Sequence, residues 1–239
     1  MIGAQHGSGQ SAWRSVLDVV ATLAMVLVAA VILWTRYRTP QPPPLPPPPA
    51  ARVAPPTQPV SLDGLSLLGT PGAKAALLIF SDFQCPYCAR FASETMPVLK
   101  KRYVDTGLAR IGFRHLPLPM HGRATRAAES AECAARQGQF WAMHDALFKS
   151  PSDMEELDLT SHAAAIGLDT NMFAACMRDP PLERIRHDSE LADGLQFRTT
   201  PSFIIGRLEG GALHATSVVV GARPVDVFEK ALDEIAVPR

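Results

Sequence analysis

Two cysteines with two residues between them, Cys85-Pro86-Tyr87-Cys88, carry the densest chemistry in this chain. A thiolate attacks a disulfide sulfur, and a second thiol nearby then resolves the mixed disulfide. The spacing suits that work when the first cysteine opens a helix, where free N–H groups and the helix dipole favour negative charge. The flanking residues supply that setting. Ala75 to Phe80 is a continuous apolar run, the pattern of a strand buried on both faces. Residues 89–103 then read as a helix offering Phe91, Val98 and Leu99 to one face, with a kink expected at Pro97. Pro86 fits the first helical turn, where its missing N–H costs no bond. Cys85 is therefore expected to be the exposed, low-pKa nucleophile, and Cys88 the buried resolving thiol.

The same pair could be half of a zinc site, but structural zinc normally takes four ligands. Cys133 and Cys176 stand apart, and neither His115 nor His121 is paired with them in sequence. No metal and no cofactor are expected, and a metal-binding or metallochaperone module is the lesser alternative. Cys133 and Cys176 form either a second disulfide or two buried thiols, and the disulfide is favoured.

The elements that must position these residues fill only part of the 239-residue chain. Its 23 Lys and Arg balance 23 Asp and Glu, and no basic stripe appears, so nucleic acid is not an expected partner. Residues 1–15 are Gly-, Ser- and Gln-rich and predict a disordered tail. Residues 16–35 are almost wholly apolar and predict a transmembrane helix of about 28 Å, with Trp13, Trp34 and Tyr37 at its ends. A cleaved signal peptide is the competing reading, but Val31 to Trp34 carries the apolar run past the small residues at 28–30. Arg36 and Arg38 after the helix favour a cytoplasmic C-terminus, whereas disulfide chemistry favours the opposite side.

Residues 36–59 predict a Pro-rich linker, a stiff spacer that cannot join a sheet or core. Residues 60–239 predict the folded domain: strand, helix and strand, a helical block over about 118–194, then two strands and a helix. Within the block, 122–149 reads as two helices broken near Gly138. Ser202 to Gly206 and His214 to Val220 read as strands, and Pro224 to Ile235 as the last helix.

Three motifs in this order resemble the DsbA-like thioredoxin proteins. Phe80 to Cys88 is similar to that family's active-site entry. Gln137 to Trp141 with His144 to Phe148 resembles its helical-domain signature, and Thr200-Pro201-Ser202-Phe203 resembles its cis-proline loop. The resemblance implies an α/β thioredoxin fold with an inserted helical domain, acting on protein thiols in a bacterial periplasm. It implies a cis Thr200–Pro201 bond beside the cysteines, with Pro86, Tyr87, Thr200 and Pro201 meeting substrate. Two positions depart from the family pattern. Ile79 stands where a buried acid is common, and Thr199 where glycine is common. Phe140, Trp141, His144 and Phe148 are read as packing residues.

The expectation is a monomeric, single-pass protein of the bacterial inner membrane with its catalytic domain in the periplasm or an equivalent extracytoplasmic space. It would oxidise thiols of exported proteins and pass electrons to a membrane redox partner. A reductase or isomerase of the same fold is the alternative. Isomerases of this superfamily often dimerise through an extra folded domain, which the Pro-rich linker does not provide.

Overall fold

The computed structural model describes residues 9–37, 53–152 and 154–236. The chain divides into two compact units, Met1–Pro46 and Pro47–Arg239.

The first unit holds α1, Gly9–Tyr37. Residues 9–15, expected as tail, are helical; none of them is proline, and a helix extends easily from an apolar segment once nucleated. The described side chains of α1, Val20 to Trp34, are all exposed. Among the described residues no helix is long and apolar enough to cross a membrane. The transmembrane reading of 16–35 is thus not met among the described residues.

The second unit is built on a six-stranded sheet in the order β1-β6-β5-β3-β4-β2. The strands are β1 Val60–Ser61, β2 Leu67–Leu68, β3 Ala75–Ser81, β4 Ala109–His115, β5 Ser202–Glu209 and β6 Ala212–Val220. β3 and β4 are parallel, and the other neighbours are antiparallel. Side chains of a strand alternate between faces. Leu77 and Ile79 enter a core with Phe91, Leu99, Ile111, Phe203, Phe228 and Leu232. Ala76, Leu78 and Phe80 enter the opposite one with Ala192, Phe197, Ile204 and Leu213. Both faces are covered, which is why β3 is apolar throughout.

After β3 the chain runs through α2, Pro86–Arg90, a π turn Phe91–Thr95, α3 Met96–Leu99 and a second π turn Lys100–Val104. The expected kink at Pro97 is replaced by these wide turns. Pro97 has no N–H for the carbonyl four residues back, and Met96 N instead bonds Phe91 O, five residues back. Val98, expected on the buried face, is 43% exposed.

The helical insertion comprises α4 Ala124–Ala135, α5 Phe140–Lys149, α6 Glu156–Ala165, α7 Thr170–Arg178 and α8 Leu182–Gly194. Gly138 at φ +74° separates α4 from α5, a left-handed conformation that suits glycine. Ala127, Ala131 and Ala134 lie on the buried face of α4, packed in one core with Met143, Leu147, Leu159 and Phe173. α9, Val225–Ala236, closes the first face of the sheet with Phe228 and Leu232.

The linker expected over 36–59 lies outside the described residues from 38 to 52. Its last part does meet the core: Val53 packs against the cluster holding Leu78 and Phe197. Proline limits backbone pairing, but an apolar side chain beyond the prolines remains free to pack.

Candidate active site

β3 ends at Ser81, and Asp82, Phe83 and Gln84 make the turn into α2. Cys85 is the N-cap of α2, with an extended backbone at φ −74° and ψ 121°, and Pro86 occupies the first helical position. The turn is held by Cys85 N donating to Asp82 O at 3.1 Å and Gln84 N donating to Asp82 Oδ1 at 2.7 Å. Cys85 and Cys88 are both free thiols.

Their environments differ. Cys88 is 1% exposed and Cys85 only 4%, so Cys85 is more enclosed than its helix-terminal position suggested. The reason is the loop before β5: Cys85 Sγ lies 3.4 Å from Thr200 O. The Cys85 pKa is lowered from 9.0 to about 6. The hydrogen bond from the Cys88 thiol is the largest cause. Burial opposes it, and the Thr200 side chain and the N–H groups of Cys88 and Tyr87 add to it. Cys88 is pushed up, first by burial, then by its hydrogen bond to Cys85 and by the Cys85 charge. The Ser81 hydroxyl and the Asp82 backbone oppose that rise. The pair therefore carries its first negative charge on Cys85.

The Thr200–Pro201 bond is cis. Thr200 Oγ1 is buried with no other hydrogen-bond partner among the described residues, and Pro201 O accepts from Gly221 N at 2.8 Å. Thr199 O accepts from Ser202 Oγ at 2.7 Å. Tyr87 is half-buried, with the Arg90 guanidinium 5.3 Å from its ring centre. Pro86 is exposed. Pro86, Tyr87, Thr200 and Pro201 thus border the cysteine pair.

Ile79 is 2% exposed and belongs to the core of the sheet. The turn's buried carboxylate is instead Asp82, whose side chain is 0% exposed. Asp82 lies inside the Phe80 to Cys88 motif, which by itself assigns it no role. An Asp two residues before the N–H it accepts is the signature of an Asx turn, and that signal was there to read. Phe83 was likewise missed. It stacks on Phe113 at 5.2 Å and meets Phe148 at 4.9 Å and His144 at 6.0 Å. The turn is thereby plugged into the helical insertion. Phe140 and His144 are buried, and Trp141 and Phe148 pack partly buried against the same core. Burial pushes the His144 pKa down.

Cys133 on α4 and Cys176 on α7 are joined by a disulfide, Cα to Cα 5.7 Å, inside the helical insertion. His115 Nε2 lies 2.8 Å from Glu132 and His121 Nδ1 lies 2.7 Å from Asp82. Among the described residues no group of three or more His, Cys, Asp or Glu side chains is placed to hold a metal ion.

The family model described as thioredoxin matches residues 63–214. The chain belongs to the DsbA-like thioredoxin-fold family. Among solved structures, alpha-DsbA1 of Wolbachia pipientis is 26% identical at a TM-score of 0.64, covering 74% of this chain and 93% of its own. A thioredoxin-like oxidoreductase from Silicibacter pomeroyi is 28% identical at 0.60, covering 71% and 91%. BdbD of Bacillus subtilis shares the fold at 20% identity and 0.62, covering 74% and 97%. Curated relatives include a protein named Na(+)/H(+) antiporter NhaA 3 from Salinispora tropica, 35% identical over 156 residues, 64% of this chain. This DsbA-like chain spans only 23% of that protein's length.

Proposed function

We propose that the chain is a membrane-anchored thiol–disulfide oxidoreductase that oxidises dithiols of exported proteins on the outer side of a bacterial inner membrane. The observation that carries this reading is the split between the two cysteines. A thiolate held at about pKa 6 stabilises the reduced enzyme, and a stabilised reduced form makes the disulfide form a good oxidant.

In the reaction, a substrate thiolate attacks Cys85 Sγ of the oxidised enzyme. The Cys85–Cys88 bond breaks, and its electron pair goes to Cys88, which takes a proton. The second substrate thiolate then attacks the substrate sulfur of the mixed disulfide. Cys85 leaves as a thiolate, and a low-pKa thiol leaves fast. Ser81 and the Asp82 backbone, which lower the Cys88 pKa against its burial, steady Cys88 as it departs. The reduced pair then passes two electrons to a membrane redox partner. Pro86, Tyr87, Thr200 and Pro201 are the proposed substrate-contacting residues, since they border Cys85.

Anchoring is supported by the exposed apolar side chains of α1 from Val20 to Trp34. An extracytoplasmic domain is supported by the Cys133–Cys176 bridge, because such bonds persist in oxidising compartments. Arg36 and Arg38 weigh on the other side. The deciding experiment is equilibration of the purified full chain with glutathione buffers. A potential above about −200 mV supports the oxidase, and one near the −270 mV or so of thioredoxin overturns it in favour of a reductase.

A further inference from the structure

We propose that Asp82, together with His121, is a positioning residue for thiol–disulfide exchange. The pair locks the catalytic turn against the loop between β4 and α4 and so holds Cys85 at the mouth of α2. Asp82 forms three hydrogen bonds from a fully buried side chain. Gln84 N donates to Oδ1 at 2.7 Å, Leu118 N donates to Oδ2 at 2.8 Å, and His121 Nδ1 lies 2.7 Å from Oδ2. A buried carboxylate is costly unless it is paired and hydrogen-bonded. A local turn alone would need only the Gln84 bond and could keep the carboxylate in water. Two of the three partners come instead from a segment more than thirty residues away.

Two further bonds run beside these. Leu116 N donates to Ser81 O at 2.8 Å, and Arg123 N donates to Gln84 Oε1 at 2.5 Å. Ser81, Asp82 and Gln84 are thus each fastened to the 116–123 loop, and Phe83 between them is buried against Phe113 and Phe148. Through the main chain the fastening reaches the cysteine directly, because Asp82 O accepts from Cys85 N. The helix-terminal N–H groups can stabilise a thiolate only while its sulfur stays in place over them. Ile79 puts no carboxylate at the position six before Cys85, so Asp82 is the buried acid that this turn possesses.

The test rests on the thiol-exchange reading and uses the full chain. The variants are His121→Ala, His121→Gln, Asp82→Ala and the Asp82→Ala/His121→Ala double. Cys85 alkylation is followed against pH, and the equilibrium with glutathione is measured. His121→Ala is expected to slow alkylation about twofold near pH 6 and about threefold near pH 5, the effect of a half-unit rise in thiol pKa. The glutathione equilibrium should shift towards the enzyme disulfide by a similar factor. Asp82→Ala should do more, and the double variant no more than Asp82→Ala. His121→Gln, which can still donate to Asp82, should recover part of the loss. The His121 side chain is 20% exposed, so its variants decide the matter if Asp82→Ala does not fold. Wild-type alkylation and potential in folded His121→Ala would overturn the positioning role alone. A parent chain that does not exchange with glutathione would overturn the functional reading instead.

Discussion

Cys85 and Cys88 are chemically the same thiol, three residues apart, and the structure separates them by what surrounds each sulfur. Cys85 receives the hydrogen bond of the Cys88 thiol, with Thr200 and the helix-terminal N–H groups adding to it, whereas burial pushes the Cys88 thiol up. Cys88→Ala should therefore accumulate mixed disulfides through Cys85, and Cys85→Ala should accumulate none; non-reducing electrophoresis of cell extracts reads both. The lowered Cys85 pKa also ties stability to pH. Because the folded value is below the unfolded one, the stabilisation is complete above about pH 9 and is lost as pH falls through about 6. Denaturant melts of the reduced protein should gain stability between those limits, and a Cys85→Ala control should lack that gain. The pair and its low-pKa member were legible in the sequence because a C-x-x-C between strand and helix has few other uses. The turn that Asp82 makes with Gln84 was legible from its spacing, but the donors at Leu118 and His121 were not, since they are adjacent to it only in space.

At the scale of elements, β3, β4 and α9 were legible because each carries a long, unmixed period. β1 and β2 were not, since two-residue strands are too short to show alternation. The wide turns of 91–104 were hidden as well, because a proline announces a disturbance without saying whether the helix bends or loosens. The strand pair after the insertion was placed, but β5 runs on to Glu209, where Gly210 and Gly211 turn the chain. The Cys133–Cys176 bridge fastens α4 to α7 across a separation of 43 residues. In the chain-entropy model it is worth at most about 4 kcal/mol. Cys133→Ala/Cys176→Ala should lower the unfolding free energy by up to that amount, measured by urea denaturation, with the thiol exchange rate retained. Leu147, fully buried in the same core, gives an independent check. Leu147→Ala should cost about 2–5 kcal/mol in the same assay, from lost burial and the cavity left behind.

For the whole molecule, the orientation reading makes a prediction of its own. A reporter active only outside the cytoplasm, fused after Arg239, should be active, and a cytoplasm-dependent reporter at the same place should be silent; the reverse pattern would side with Arg36 and Arg38. The apolar run at the N-terminus was plain in the sequence, yet hydrophobicity alone does not tell which side each end occupies. The strand order adds a consequence for how the chain is made. β3 is an interior strand of the sheet, flanked by β4 on one side and β5 on the other. β5 begins only at Ser202, and the buried Arg114 of β4 meets its carboxylate partner only at Asp188. A ribosome that has synthesised the cysteine pair must therefore add more than a hundred residues before β3 gains its second neighbour. Until then the sheet is half-built and Arg114 lacks its counter-ion. The sequence distance between β3 and β5 works as a timer, delaying closure of the sheet until most of the polypeptide has been synthesised.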